Sequence, residues 1–152
     1  MQPQKLYLVH AGVSGKQLNP QPFIEEQNPS KPCMTIENIK ENIGDSYFWA
    51  SVDETTDRCD RYIANIVVGK LDSTGPSSPH LIASRVLEVA NSSTIARVVH
   101  DSLRVLWPSE NNDEKFMVLL TDSVAYMLKA GASLKVFYPK LIHVTCLAHT
   151  VH

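Results

Sequence analysis

At 152 residues, with 43% hydrophobic and 20% charged side chains, the chain is long enough to bury a core and has the balance of an ordinary soluble globular domain. A formal net charge of −2 lowers the expectation of a chain-wide basic face, the usual footprint of a stand-alone nucleic-acid binder, without excluding one local patch. Three cysteines without regular spacing (Cys33, Cys59, Cys146) make no disulfide framework and suit a reducing, intracellular compartment, while Leu6–Val9 is too short for a signal peptide and no window reaches the ~18 apolar residues of a membrane span.

Residues 1–34 read as a flexible arm. Pro3, Pro20, Pro22, Pro29 and Pro32 punctuate a stretch rich in Gln, Asn, Gly and Ser. Gly12 and Gly15-Lys16 lack the spacing and the following Ser or Thr of a phosphate loop. The packed unit is expected over 35–152.

From Thr35 the spacing of Ile36, Ile39 and Ile43 predicts a short helix stopped by Gly44. A first strand follows at about 46–53, built from Tyr47-Phe48-Trp49-Ala50-Ser51-Val52, whose aromatic and β-branched side chains fit a pleated, packed surface. It ends in acid: Asp53 closes the strand, and Glu54 to Asp57 are read as its turn. Arg61 to Val68 forms the second strand, close enough for an antiparallel hairpin. A Ser/Pro/Gly loop leads to a third strand at Leu81 to Leu87.

Asn91 reads as a helix N-cap. Ile95, Val98, Val99, Ser102, Leu103 and Leu106 recur on one helical face, read as core, and Trp107-Pro108 closes the helix. Asn111 to Lys115 is a charged loop. The nearly continuous apolar run Phe116 to Leu120 predicts a central parallel strand covered on both faces. It runs into Thr121-Asp122-Ser123, a short helix around Val124 to Ala130, a fifth strand at Leu141 to Cys146, and the opening of another helix at Ala148 to His152.

A right-handed crossover through the long helix lays the Phe116 strand beside strand one. Asp53 and Asp122 then sit at the carboxyl ends of neighbouring strands, where open α/β sheets bind ligands. Two carboxylates so placed suit Mg²⁺ or Mn²⁺, and a metal pair can clamp a phosphodiester. The alternative for Asp122 is the ordinary N-cap of the helix it precedes.

Three stretches in this order carry a resemblance: Phe48-Trp49-Ala50-Ser51-Val52-Asp53-Glu54-Thr55-Thr56-Asp57, then Leu119-Leu120-Thr121-Asp122-Ser123-Val124-Ala125-Tyr126-Met127, then Cys146-Leu147-Ala148-His149. Over about 35–152 the chain resembles hAT-type transposases, most of all their domesticated, transposase-derived members of the CGG triplet repeat-binding kind. The resemblance implies an RNase H-like mixed sheet of three antiparallel strands, a helix, a parallel strand, a helix and a strand, truncated at its C-terminal end. It implies Asp53 and Asp122 as vestiges of the first two catalytic aspartates, with Mg²⁺ or Mn²⁺ as their metal, and Cys146 and His149 as a DNA-handling Cys-x-x-His motif. Cys146 and His149 supply two of the four ligands a structural zinc needs.

The family's third acid lies on a helix beyond His152, and its inserted helical domain, dimerisation region and N-terminal zinc finger have no counterpart in these residues. Glu54 and Asp57 remain turn residues. The expectation is a transposon-derived nuclear protein fragment, catalytically inactive, associated with DNA or with transcriptional regulation. The rivals are an active metal-dependent transposase or nuclease and a protein-interaction module without DNA contact.

Overall fold

The computed structural model describes residues 35–75 and 77–146. Helix α1, Ile36–Ile43, starts where the Thr35 side chain accepts the Asn38 N–H at 3.1 Å, and it buries Ile36, Ile39 and Ile43. Strand β1, Phe48–Thr56, pairs antiparallel with β2, Tyr62–Lys70, and β2 pairs antiparallel with β3, His80–Leu87. The hairpin turn hangs on Asp57. Its Oδ1 accepts the Cys59 and Arg61 N–H groups at 2.8 and 2.9 Å, and Arg61 Nε donates to Oδ2 at 2.8 Å. Those bonds, led by the Arg61 side chain, pull the Asp57 carboxyl down to about 2.

Helix α2, Ser92–Leu106, begins in a reciprocal cap: Asn91 accepts the Thr94 N–H at 2.9 Å, and Thr94 Oγ1 accepts the Asn91 N–H at 3.1 Å. All six predicted stripe residues are buried. Trp107 ends the helix in an extended conformation, as a residue before proline must. The expected charged loop is a 3-10 helix, Glu110–Lys115, fastened by a two-pronged Arg104–Asp113 bridge at 2.8 and 2.9 Å. Then come β4, Phe116–Thr121; α3, Ala125–Phe137; and β5, Ile142–Thr145.

The sheet order is β3-β2-β1-β4-β5, with β4 parallel to both β1 and β5. This is the expected RNase H-like topology. The helices form one layer, with α2 against both α1 and α3, α1 and α2 over β2, and α3 over β4 and β5. Alternation along β1 shows the result: Phe48, Ala50 and Val52 are buried, whereas Trp49 and Ser51 are half-buried and Asp53 exposed. Under the helices an aromatic series fills the sheet centre. Phe48 stacks on Trp107 (4.5 Å) and Phe116 (5.3 Å), and Phe116 meets the edge of Tyr138 at 4.9 Å.

Four expectations change. Strand β1 runs on through Asp53, Glu54 and Thr55 to Thr56, because its hairpin partner keeps pairing as far as Thr56 with Tyr62. Strand β4 is central and parallel, but among the described residues only its helix face is covered, leaving Val118 and Leu120 half-exposed. Helix α3 passes Ala130 and reaches Phe137. Cys146 lies just past β5 rather than in it. The arm at 1–34 and the helix expected at 148–152 fall outside the described residues. None of the described helices is long and apolar enough to cross a membrane.

Candidate functional site

The β1–β4 ladder ends at Ser51 beside Leu120. Continued two places, the parallel register sets Asp53 level with Asp122, with Asp53 on the sheet face away from the helices and Asp122 turned to the start of α3. Asp53 itself pairs with Asn65 of β2 and is exposed, while Asp122 is half-buried. The two predicted acids thus lie level on adjacent parallel strands, Asp53 within β1 and Asp122 one residue past the end of β4.

The alternative role foreseen for Asp122, the N-cap of the helix it precedes, is not realised: the N-cap position of α3 is Val124, which has no side-chain cap bond, and Asp122 Oδ1 accepts the Val124 N–H at 3.2 Å in a turn ahead of the helix. Thr121, buried beside it, donates its hydroxyl to the Asp122 carbonyl at 2.7 Å and stands 2.8 Å from His143 Nε2. The Thr121 proton being spent, His143 donates through Nε2–H, which fixes its neutral tautomer. The Cys146 N–H donates to the Thr121 carbonyl at 2.7 Å, so the first residue of the Cys-x-x-His motif touches this strand end through its backbone. His149 lies outside the described residues.

Glu54 is the residue that pattern reading missed. It is half-buried in the strand, in phase with Phe48, Ala50 and Val52, so it points to the helix side, where Tyr126 of α3 meets it. Burial raises its carboxyl above the ordinary value; a hydrogen bond from Tyr126 offsets part of this, and the charges of Asp122 and Asp53 add to it. One carboxyl oxygen, Oε2, is shielded from solvent and has no hydrogen-bond partner. Burial also pushes the Tyr126 hydroxyl up to about 12, with help from the Glu54 and Asp122 charges. The signal was available in the two-residue alternation, which places position 54 with the buried set once β1 is taken through the acids.

A stability consequence follows. With its folded value above the ordinary 4.5, Glu54 holds its proton more tightly in the native state, so the contribution is favourable in acid and lost as pH rises through the folded value. Glu54→Gln removes that loss. Thermal melts should show the variant a few degrees more stable at neutral pH and matched to the parent below the ordinary carboxylate range. A lower melting temperature at neutral pH would mean that the charged carboxylate has a stabilising partner.

As metal ligands the acids fit in part. Among the described residues no group of three or more His, Cys, Asp or Glu side chains converges to hold an ion. Asp53 and Glu54 are consecutive in a strand and therefore diverge to opposite faces. Asp53 and Asp122 lie level on neighbouring strands, and one or two carboxylates with water or phosphate completing the shell is an ordinary way to hold Mg²⁺. No protein-family model matches the chain, and no curated protein matches it.

Proposed function

We propose that the chain is the core of a transposase-derived protein that associates with DNA in the nucleus, in the regulation of transcription, without strand-transfer chemistry of its own. The observation that carries this reading is the pair of aspartates level with each other on two adjacent parallel strands of an RNase H-like sheet, Asp53 within β1 and Asp122 just past the end of β4. The motif order supports the same ancestry: the acidic strand end, then Thr121-Asp122-Ser123, then Cys146 with His149. The inactivity is inferred from the described residues, where no third carboxylate joins the pair: Glu54 lies in phase with the helix side of β1 and is engaged by Tyr126. Asp53 and Asp122 would hold a Mg²⁺ or Mn²⁺ ion, which when bound would attract a phosphate oxygen to this strand end.

The test is a gel-shift series over salt with duplex DNA, run beside a calorimetric Mg²⁺ titration of the parent and Asp53→Ala. Retarded DNA at low salt, steeply lost as salt rises, with uncut DNA in Mg²⁺ and Mn²⁺, is the expected result. Cleavage that disappears in Asp53→Ala would replace this reading with a metal-dependent nuclease. Absence of any shift at low salt would leave an interaction module without DNA contact.

A further inference from the structure

Helix α3 is apolar almost all round, the composition of a helix covered on every side. Its inner face is accounted for: Met127, Ala130, Gly131 and Leu134 are buried against the sheet and α2. The outer face is not. Val124, Leu128, Ala132 and Val136 follow each other at intervals of four, so they form one ridge along the helix. All four are exposed, Val136 by 80%. Water gains nothing from such a ridge, and among the described residues nothing covers it.

The charges beside the ridge say what would. Lys129 comes one residue after Leu128, and Lys135 one before Val136, so they stand about 100° to either side of the stripe. Both are exposed, neither forms a salt bridge among the described residues, and the helix contains no Asp or Glu. We propose that the ridge Val124–Leu128–Ala132–Val136 docks an amphipathic helix of another protein, one whose apolar seam carries Asp or Glu on both edges. The ridge spans thirteen residues, about 18 Å or just over three turns, and the small side chain of Ala132 at its middle lets a second helix come close. A partner with acidic flanks would meet Lys129 on one edge and Lys135 on the other.

The same pattern disfavours a second copy of this chain. A two-fold axis through Ala132 would match Leu128 with Val136 of the other copy. It would also set Lys129 against Lys135 at both edges, like charges with no acid on the helix between them. The surface is independent of the strand-end acids, so it stands or falls apart from the DNA-binding reading.

The experiment uses the full chain and two labelled helical peptides of about 18 residues. They share one Leu/Ala seam, flanked by Glu in the first and by Lys in the second. Fluorescence anisotropy should show the Glu-flanked peptide binding roughly ten-fold tighter or better, with affinity falling as salt rises. The preference should invert in Lys129→Glu/Lys135→Glu. Leu128→Asp should abolish binding with its melting curve unchanged, since the side chain is exposed. Equal binding of the two peptides, no binding, or binding indifferent to Leu128→Asp would overturn the proposal. So would a sedimentation-detected dimer of the parent that is lost in Leu128→Asp, which would give the ridge to a second copy.

Discussion

Phe116→Ala is expected to cost about 3–5 kcal/mol of folding stability, the range for truncating a large aromatic in a packed core. Phe116 opens β4 and is fully buried, with the Phe48 ring parallel to it and the edge of Tyr138 against it. Its removal leaves a void between three elements that cannot close together. Phe48 is held by Trp107 and by the β2 ladder; Tyr138 is held by its hydroxyl, 2.9 Å from His100 Nδ1. Against a total stability of about 5–15 kcal/mol, the loss should lower the melting temperature by about 10–20 °C. Denaturant melts of Phe116→Ala and Phe116→Leu decide it: the Leu variant, which fills most of the void, should recover more than half. A drop under ~1 kcal/mol for Ala would show that the aromatic series relaxes around the gap.

That void would open where strand β4 was most legible. Phe116 to Leu120 announces a parallel strand by its continuous apolar run, and the register of that strand on β1 is what brings Asp122 level with Asp53. Likewise Ile36, Ile39 and Ile43, and the stripe from Ile95 to Leu106, declare which helix faces are buried, because a period near 3.6 has no other economical use. What sequence could not give was where partners override local preference. The acids of 53–57 look like a turn, yet Thr55 and Thr56 are held in the strand by pairing with Ile63 and Tyr62. Extending β1 by those residues is also what reveals Glu54 on the helix side. The apolar run of β4 predicted two covered faces, since hydrophobicity reports what a strand tolerates and does not report which element lies over it. Helix α3 was expected to end near Ala130, yet it continues through Gly131 to Phe137, and the place of that glycine is disclosed only by the neighbouring strand.

Gly131→Ala should therefore destabilise the protein although alanine is the better helix former by about 1 kcal/mol. A Cβ at position 131 would fall within the imidazole ring of His143, which packs directly on the glycine. His143 has no easy retreat: its backbone is paired in β5 beside Leu119, and its Nε2–H is committed to Thr121 Oγ1 at 2.8 Å. Overpacking of this kind costs about 1–3 kcal/mol, which offsets or exceeds the gain in helix propensity. In a His143→Ala background the obstruction is gone, and the same Gly131→Ala should become neutral or stabilising. The double-mutant cycle reads the coupling directly, with an expected interaction of about 1–3 kcal/mol. Additive effects would mean that the ring swings clear and that Gly131 is there for some other reason. The imidazole carries its own check on pH. Burial, with the Lys135 charge adding to it, lowers His143 below the usual 6.5. The unfolded chain then binds the proton first, so stability at this site rises with pH and is lost as pH falls through the folded value. Melts taken between neutral and mildly acidic pH should lose part of their slope in His143→Ala.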